Sequence, residues 1–156
     1  MAELPALSRT LVEPEELAVL ELDELWSFVG SKASPAWIWL AQSRRTRQVV
    51  AYAIGDRSEV TGRKLWAAIP DRYRTGQCYT DFWEAYTGVI PAPHHTAAGK
   101  ETGATAHIER WNNTLRQRLA RFVRKTLSFS KSWGMHDACL RLFLHRHNSS
   151  SFISLL

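Results

Sequence analysis

Three acids in this chain stand where carboxylates are hard to account for as ordinary surface residues. Asp23 falls inside the β-patterned run ELDELWSF, Asp81 follows the short apolar stretch GQCYT, and Glu109 opens the basic segment IERWNNTLRQRLARFVRK, which contains no other acid. Cleaving a phosphodiester needs an activated oxygen nucleophile and relief of charge on the leaving oxygen, and two divalent ions about 4 Å apart provide both. Mg2+ takes hard oxygen ligands, commonly one or two carboxylates completed by water and phosphate oxygens. Three acids carried to one place by separate elements repel one another without a cation, so their convergence makes chemical sense as a metal site. Each also has a plain structural reading: Asp23 as a solvated residue of an edge strand, Asp81 as the N-cap of a following helix.

The elements that must position these acids follow from hydrophobic period. Residues 18–30 read as a strand, with Leu20, Leu22, Trp26 and Phe28 on one face and Glu21, Asp23, Leu25 and Ser27 on the other. A turn over 30–35 leads to strands over 36–42 and 48–55, joined by a polar turn carrying Arg44, Arg45 and Arg47. Ser58 is expected to cap a helix running to Ile69, which Pro70 ends. A short strand over 76–80 precedes Asp81, then a short helix with Phe82 and Tyr86 toward the core, then a strand near 95–98. Ile108, Trp111, Leu115, Leu119 and Phe122 form one apolar stripe of a helix whose margin carries Glu109, Asn112, Asn113 and Arg116. Ser128–Ser132 breaks the pattern before a last helix over 135–147. This order predicts an α/β fold: an antiparallel three-strand meander continued by parallel strands into a mixed sheet, with helices flanking it. Asp81, at the exit of a central strand, lies where ligands collect in such sheets.

Other residues compete for the same chemistry. Glu24 is expected to point away from Asp23 in a regular strand, Glu84 to lie on the exposed side of its helix, and Asp56 to occupy a turn. His145 and His147 with Cys139 could make a soft metal site, but no second pair of close ligands supports it. His107 falls on a different side of its helix from Glu109, which removes it as a general base. No motif supports a Ser or Cys nucleophile.

At 156 residues the chain has room for one domain with a substantial core, and 45% hydrophobic content argues against disorder. A net charge of +5 favours an acidic partner, with nucleic acid the commonest. Two cysteines without a CxxC spacing read as buried thiols in a reducing compartment. The sequence contains no apolar run long enough for a membrane span and no signal peptide, which predicts a cytoplasmic protein.

The segments ELDELWSFVG, CYTDFWEAY and GKETGATAHIERWNNTLRQRLARFVRKTLSFSKS together resemble transposases of the insertion-sequence-one family of bacterial mobile elements, over roughly residues 19–150. The resemblance implies a ribonuclease H-like catalytic core of the DDE type over residues 18–148, with a lead-in over 1–17 and a tail over 149–156. It implies cleavage at transposon ends and attack of the freed 3′-hydroxyl on target DNA, with Mg2+ as cofactor and Mn2+ as a substitute. By matching motifs, Asp23, Asp81 and Glu109 become the catalytic and metal-binding acids. Arg110, Arg116, Arg118, Arg121, Arg124 and Lys125, with Asn113 on the flank of the acid, become the DNA-binding residues. The spacings of 58 and 28 positions between the acids suit that core.

Full transposases of this family resemble a fusion in which a zinc-binding and helix-turn-helix region precedes the core, so this chain looks like the second reading frame alone. The expected partners are transposon-end and target DNA, further copies of the chain on that DNA, and an upstream-frame DNA-recognition segment, with nucleoid association when DNA is bound. The alternative is a non-catalytic DNA-binding or regulatory product of the element that lacks end recognition. A third reading is another ribonuclease H-like nuclease, which would cut RNA–DNA hybrids.

Overall fold

A run in which nearly every position is apolar must be covered on both faces, because either face left open would present apolar surface to water. Trp37–Ser43 is such a run. In the computed structural model, which describes residues 3–14, 16–123 and 125–155 with the side chain of Phe152 excepted, it forms strand β4, buried along almost its whole length. β4 pairs antiparallel with β1 (Val19–Leu25) on one side and β5 (Val49–Gly55) on the other. β1 pairs in parallel with β6 (Gln77–Thr80), and β6 with β7 (His95–Ala97). The order β5-β4-β1-β6-β7 puts β1 at the centre of a mixed sheet, an antiparallel meander continued by parallel strands, compatible with a ribonuclease H-like fold. The edge-strand reading of Asp23 is therefore wrong.

Helices cover both faces. On one, α1 (Glu59–Ala68) and α2 (Glu84–Val89) pack over a core that includes Leu20, Leu22, Trp39, Leu65 and Tyr86. On the other, α3 (Ala106–Arg118) and α4 (Trp133–Leu155) pack over Leu25, Ile38, Leu40, Ile108, Leu115, Leu140 and Leu144. The strand alternation of β4 divides Trp39 from Ile38 and Leu40. Where β6 starts, a Cβ on Gly76 would stand 1.7 Å from the carbonyl oxygen of Ala18. Only glycine permits the parallel strands to begin that close.

Several sequence expectations are corrected. The first strand ends at Leu25, not Gly30: Ser27 exchanges both backbone hydrogen bonds with Ala36, and Phe28–Val29 (β2) leaves the sheet to pair with Ser31–Pro35 (β3), a segment read as a turn. Ser58 occupies the N-cap position of α1, but its hydroxyl bonds Asp56 and makes no cap. The helix after Asp81 starts only at Glu84, because the Asp81 carboxylate accepts the Trp83 N–H at 2.9 Å and holds a turn there. Phe82 is consequently 70% exposed, whereas Tyr86 is buried as expected. α3 stops at Arg118 and Leu119 is extended; Phe122 reaches the same core from a separate 3-10 turn, packed against His136. α4 is longer than expected at both ends, and in its serine-rich stretch the Ser149, Ser150 and Ser154 hydroxyls bond carbonyls one turn back. Both cysteines are free thiols, Cys78 buried and pushed up to about 12 by burial, Cys139 only half-buried.

Fully buried His136 ties the region together. Its ring nitrogens lie 2.8 Å from the hydroxyls of Ser27 and Ser130, and burial pushes its pKa down to about 4. The Ser27 hydroxyl donates to the Ala36 carbonyl, so it accepts from Nε2–H, and Nδ1 accepts from Ser130. A neutral imidazole satisfies both contacts.

Candidate active site

Parallel pairing sets Leu20 beside Cys78 and Glu21 beside Tyr79. Continued two residues, that register brings Asp81 next to Asp23 at the carboxyl ends of neighbouring strands. Carboxylate oxygens of Asp23, Glu24 and Asp81 all lie within 4.8 Å of one another, and this is the one group of potential metal ligands among the described residues. The expectation that Glu24 points away is thus corrected. Its side chain leaves β1 on the α1–α2 face, as alternation requires, but at the strand end it reaches round to the rim where Asp81 stands. There Glu24 Oε1 accepts from Nε and Nη2 of Arg57 at 3.0 and 2.8 Å, and Oε2 accepts from the Tyr86 hydroxyl at 2.6 Å. Arg57 in turn lies over the rings of Trp37 and Trp83.

Glu109 comes from the opposite wall, in the first turn of α3. It lines the same cleft of about 320 Å³ as Asp23, Glu24 and Asp81, outside the tight group of three, and the buried Thr105 hydroxyl donates to its Oε1 at 2.9 Å. A second, wholly buried acid sets that wall in place. Glu21 takes Arg44 Nε at 3.0 Å and His107 Nδ1 at 2.7 Å on one oxygen, and the backbone N–H of Ile108 at 2.9 Å on the other. A carboxylate on β1 is thereby fastened to the N-terminal turn of α3, where the helix dipole also favours negative charge. The sequence reading passed over Glu21 as a strand residue, and His107 serves this bond.

Burial pushes the Asp23 carboxyl up to about 7, reinforced by the neighbouring charges of Glu24 and Asp81 and opposed by the Asn112 hydrogen bond. Burial likewise raises Glu24, while its bonds to Tyr86 and Arg57 pull it back. Asn112 Nδ2 donates to Asp23 Oδ2 at 2.7 Å, yet the buried Oδ1 of Asn112 has no hydrogen-bond partner. Crowded carboxylates beside an unsatisfied acceptor are short of positive charge. An all-oxygen donor set of this kind fits a hard divalent cation.

A model described as IS1 transposase matches residues 16–150. The chain belongs to the IS1 transposase family. Its relatives include the insertion element iso-IS1n protein InsB of Shigella dysenteriae, 40% identical over 129 residues that cover 83% of this chain and 95% of the relative. The insertion element IS1 protein InsB of Shigella flexneri is 36% identical over 80% of this chain and 92% of its own length. The insertion element IS1 4 protein InsB of Escherichia coli K12 is 33% identical over 88% of this chain and 80% of its own length. Membership in a DDE transposase family brings DNA as partner and, in general, divalent metal ions as cofactors. Among the described residues, no helix is long and apolar enough to cross a membrane.

The residues expected to bind DNA do not share one surface in this IS1-family chain. Asn113 and Arg116 line the acidic cleft, together with Lys100 and Arg57, which sequence reasoning did not select. Arg110 and Arg118 lie on other walls of α3. Arg121 belongs to the turn after the helix and Lys125 is exposed beyond it, while Arg124 lies outside the described residues. The rival acids are accounted for: Glu84 is exposed, and Asp56 is occupied by Ser58 and Thr61. The soft site is not formed. The His147 ring lies tilted against Trp111 with centroids 3.9 Å apart and donates from Nε2 to the Arg47 carbonyl, and the group has no place among the potential ligand clusters of the described residues.

Proposed function

We propose that residues 18–148 form the catalytic core of an IS1-type transposase, in which Asp23, Asp81 and Glu109 hold the divalent ions that cleave insertion-sequence ends and join them to target DNA. The observation that carries this reading is the meeting of Asp23 and Asp81 at the ends of adjacent parallel strands, with Glu109 facing them across the cleft. Mg2+, or Mn2+ in its place, would be held by these three carboxylates and supply Lewis acidity at the scissile phosphate. The chain's own groups do the positioning. Asn112 orients the Asp23 carboxylate, Thr105 orients Glu109, and the turn at Trp83 orients Asp81. Glu24 is neutralised by Arg57 and Tyr86, which leaves it a strut of the rim rather than a ligand. Lys100, Asn113 and Arg116 place the sugar-phosphate strand so that water or a 3′-hydroxyl attacks in line.

Within this proposal an upstream-frame segment supplies recognition of the terminal repeats, and further copies of the chain assemble on the paired ends. The test is strand transfer from a pre-nicked transposon end into a target duplex with Mg2+ or Mn2+. Asp81→Asn and Glu109→Gln should each abolish the product while leaving DNA binding in place. Undiminished transfer by either variant would refute the assignment. Cleavage of RNA–DNA hybrids in preference to DNA would point to a different nuclease of the same fold.

A further inference from the structure

α3 presents two chemically different sides. Toward the cleft it turns Glu109, Asn112, Asn113 and Arg116. On another side, Arg110, Trp111 and Thr114 line a recess of about 240 Å³ with Gln42, Arg47, His107 and His147. Next to it, Trp111, Arg118 and Leu119 line a second recess of about 470 Å³ with Phe143, Arg146, His147 and Ser150 of α4. The rings of Trp111 and His147, in contact and tilted by 33°, are shared by the two recesses. Arg47, Arg110, Arg118 and Arg146 are all exposed, no carboxylate lines either recess, and among the described residues none of the four guanidinium groups is paired with an acid. Arg44, Arg57, Arg63, Arg72 and Arg74, by contrast, are each paired with an acid.

We propose that this α3–α4 face is a second duplex-DNA backbone site, separate from the cleft, in which Arg47, Arg110, Arg118 and Arg146 contact phosphates. Four unpaired cations spread over two adjoining recesses match a polyanion with regularly spaced charges. Exposed guanidinium groups without a carboxylate beside them favour a polar, anionic occupant over an apolar protein surface. A transposase must hold an element end and a target at once, and a face without acids on the far side of the catalytic helix can hold a duplex that is not being cut. The proposal rests on DNA being the partner, but not on the three acids being catalytic.

The test is fluorescence anisotropy of the full chain with a random-sequence duplex in EDTA, over a range of salt. Arg110→Ala/Arg118→Ala/Arg146→Ala should weaken binding about tenfold and lower the log–log salt slope by about 2.7, since each phosphate contact contributes about 0.9. Arg63→Ala/Lys64→Ala/Arg74→Ala, a matched loss of charge elsewhere, should leave the slope within about half a unit of the parent, less than the about 0.9 that one phosphate contact contributes. An unchanged slope in the first variant, or an equal fall in the second, overturns the proposal. So does tighter binding of single-stranded RNA than of the duplex, or a first variant whose main defect is loss of self-association. Melting temperatures of both variants report that they fold. Because binding is read in EDTA and strand transfer needs a metal, loss of transfer with intact binding bears on the cleft, and the reverse bears on this face.

Discussion

Asp23→Asn should make the metal-free protein more stable at neutral pH while destroying a metal ligand. The Asp23 carboxyl is held at about 7 against an ordinary 3.8. A carboxyl raised in the folded state favours folding while it keeps its proton, and that contribution is lost as pH rises from about 4 through about 7. A gap of roughly 3 pH units corresponds to at most about 4 kcal/mol, and the partial solvent contact of Asp23 reduces this to about 2–3 kcal/mol. Asparagine keeps an acceptor for Asn112 Nδ2 and never charges, so the variant escapes the loss. For a chain of this length that amounts to a melting temperature higher by about 4–12 °C at pH 8. Calorimetry in EDTA at pH 8 and at about pH 3.5 measures it, and the advantage should nearly vanish at the lower pH, where the residue is largely protonated in the folded and unfolded states alike. Adding Mg2+ should then raise the melting temperature of the wild type and not of the variant. A variant less stable than wild type by the same amount at both pH values would refute the argument that crowding and burial raise this group.

His136 gives the opposite slope. Its pKa of about 4 lies below the ordinary 6.5, so the stability it contributes is present above 6.5 and lost as pH falls toward 4; NMR should show its ring neutral down to about pH 5, and a midpoint near 6.5 would refute the buried pair of hydroxyl bonds. Arg57→Ala leaves Glu24, only 8% exposed, without its cation and should cost about 3 kcal/mol in urea unfolding at pH 8, with Tyr86→Phe costing about 1–2; no change in either would mean Glu24 is solvated. Gly76→Ala forces a Cβ into the Ala18 carbonyl and should destabilise by more than about 3 kcal/mol or give insoluble protein, whereas a near-neutral melting curve would place β6 elsewhere.

Asp23, Asp81 and Glu109 stand out as candidates in the sequence because each breaks a local rule: an acid within a strand, at a strand exit, and at the head of a basic helix, and the structure lines one cleft with all three. The mixed sheet was legible from the largely apolar β4 run and the alternation of elements after it. Glu24 was not, because alternation along a strand tells which face a side chain leaves from and not where a four-bond side chain ends when the strand stops one residue later. Its partners Arg57 and Tyr86 lie 33 and 62 positions away, beyond any periodic signal. Phe82 was misplaced because spacing of four suggests a helix, while the bond from Asp81 to the Trp83 N–H delays that helix. The apolar stripe through Leu119 and Phe122 was real as burial but not as one helix, since a buried residue carries the same signature whether it arrives on a helix or on the turn after it.

Glu21 sits two residues before Asp23 and grips the backbone one residue before Glu109. One buried side chain thus makes a single stiff body of β1 and the head of α3, and Asp23 and Glu109 ride on it together. Asp81 is held differently, from a short turn ahead of a six-residue helix whose own start is exposed. The two walls of the cleft are thus fastened to each other beneath its floor, through Glu21, while the Asp81 carboxylate is tied to the turn that follows it. The distance from Asp23 to Glu109 is therefore fixed by the buried Glu21 contacts to the head of α3, not by anything bound in the cleft.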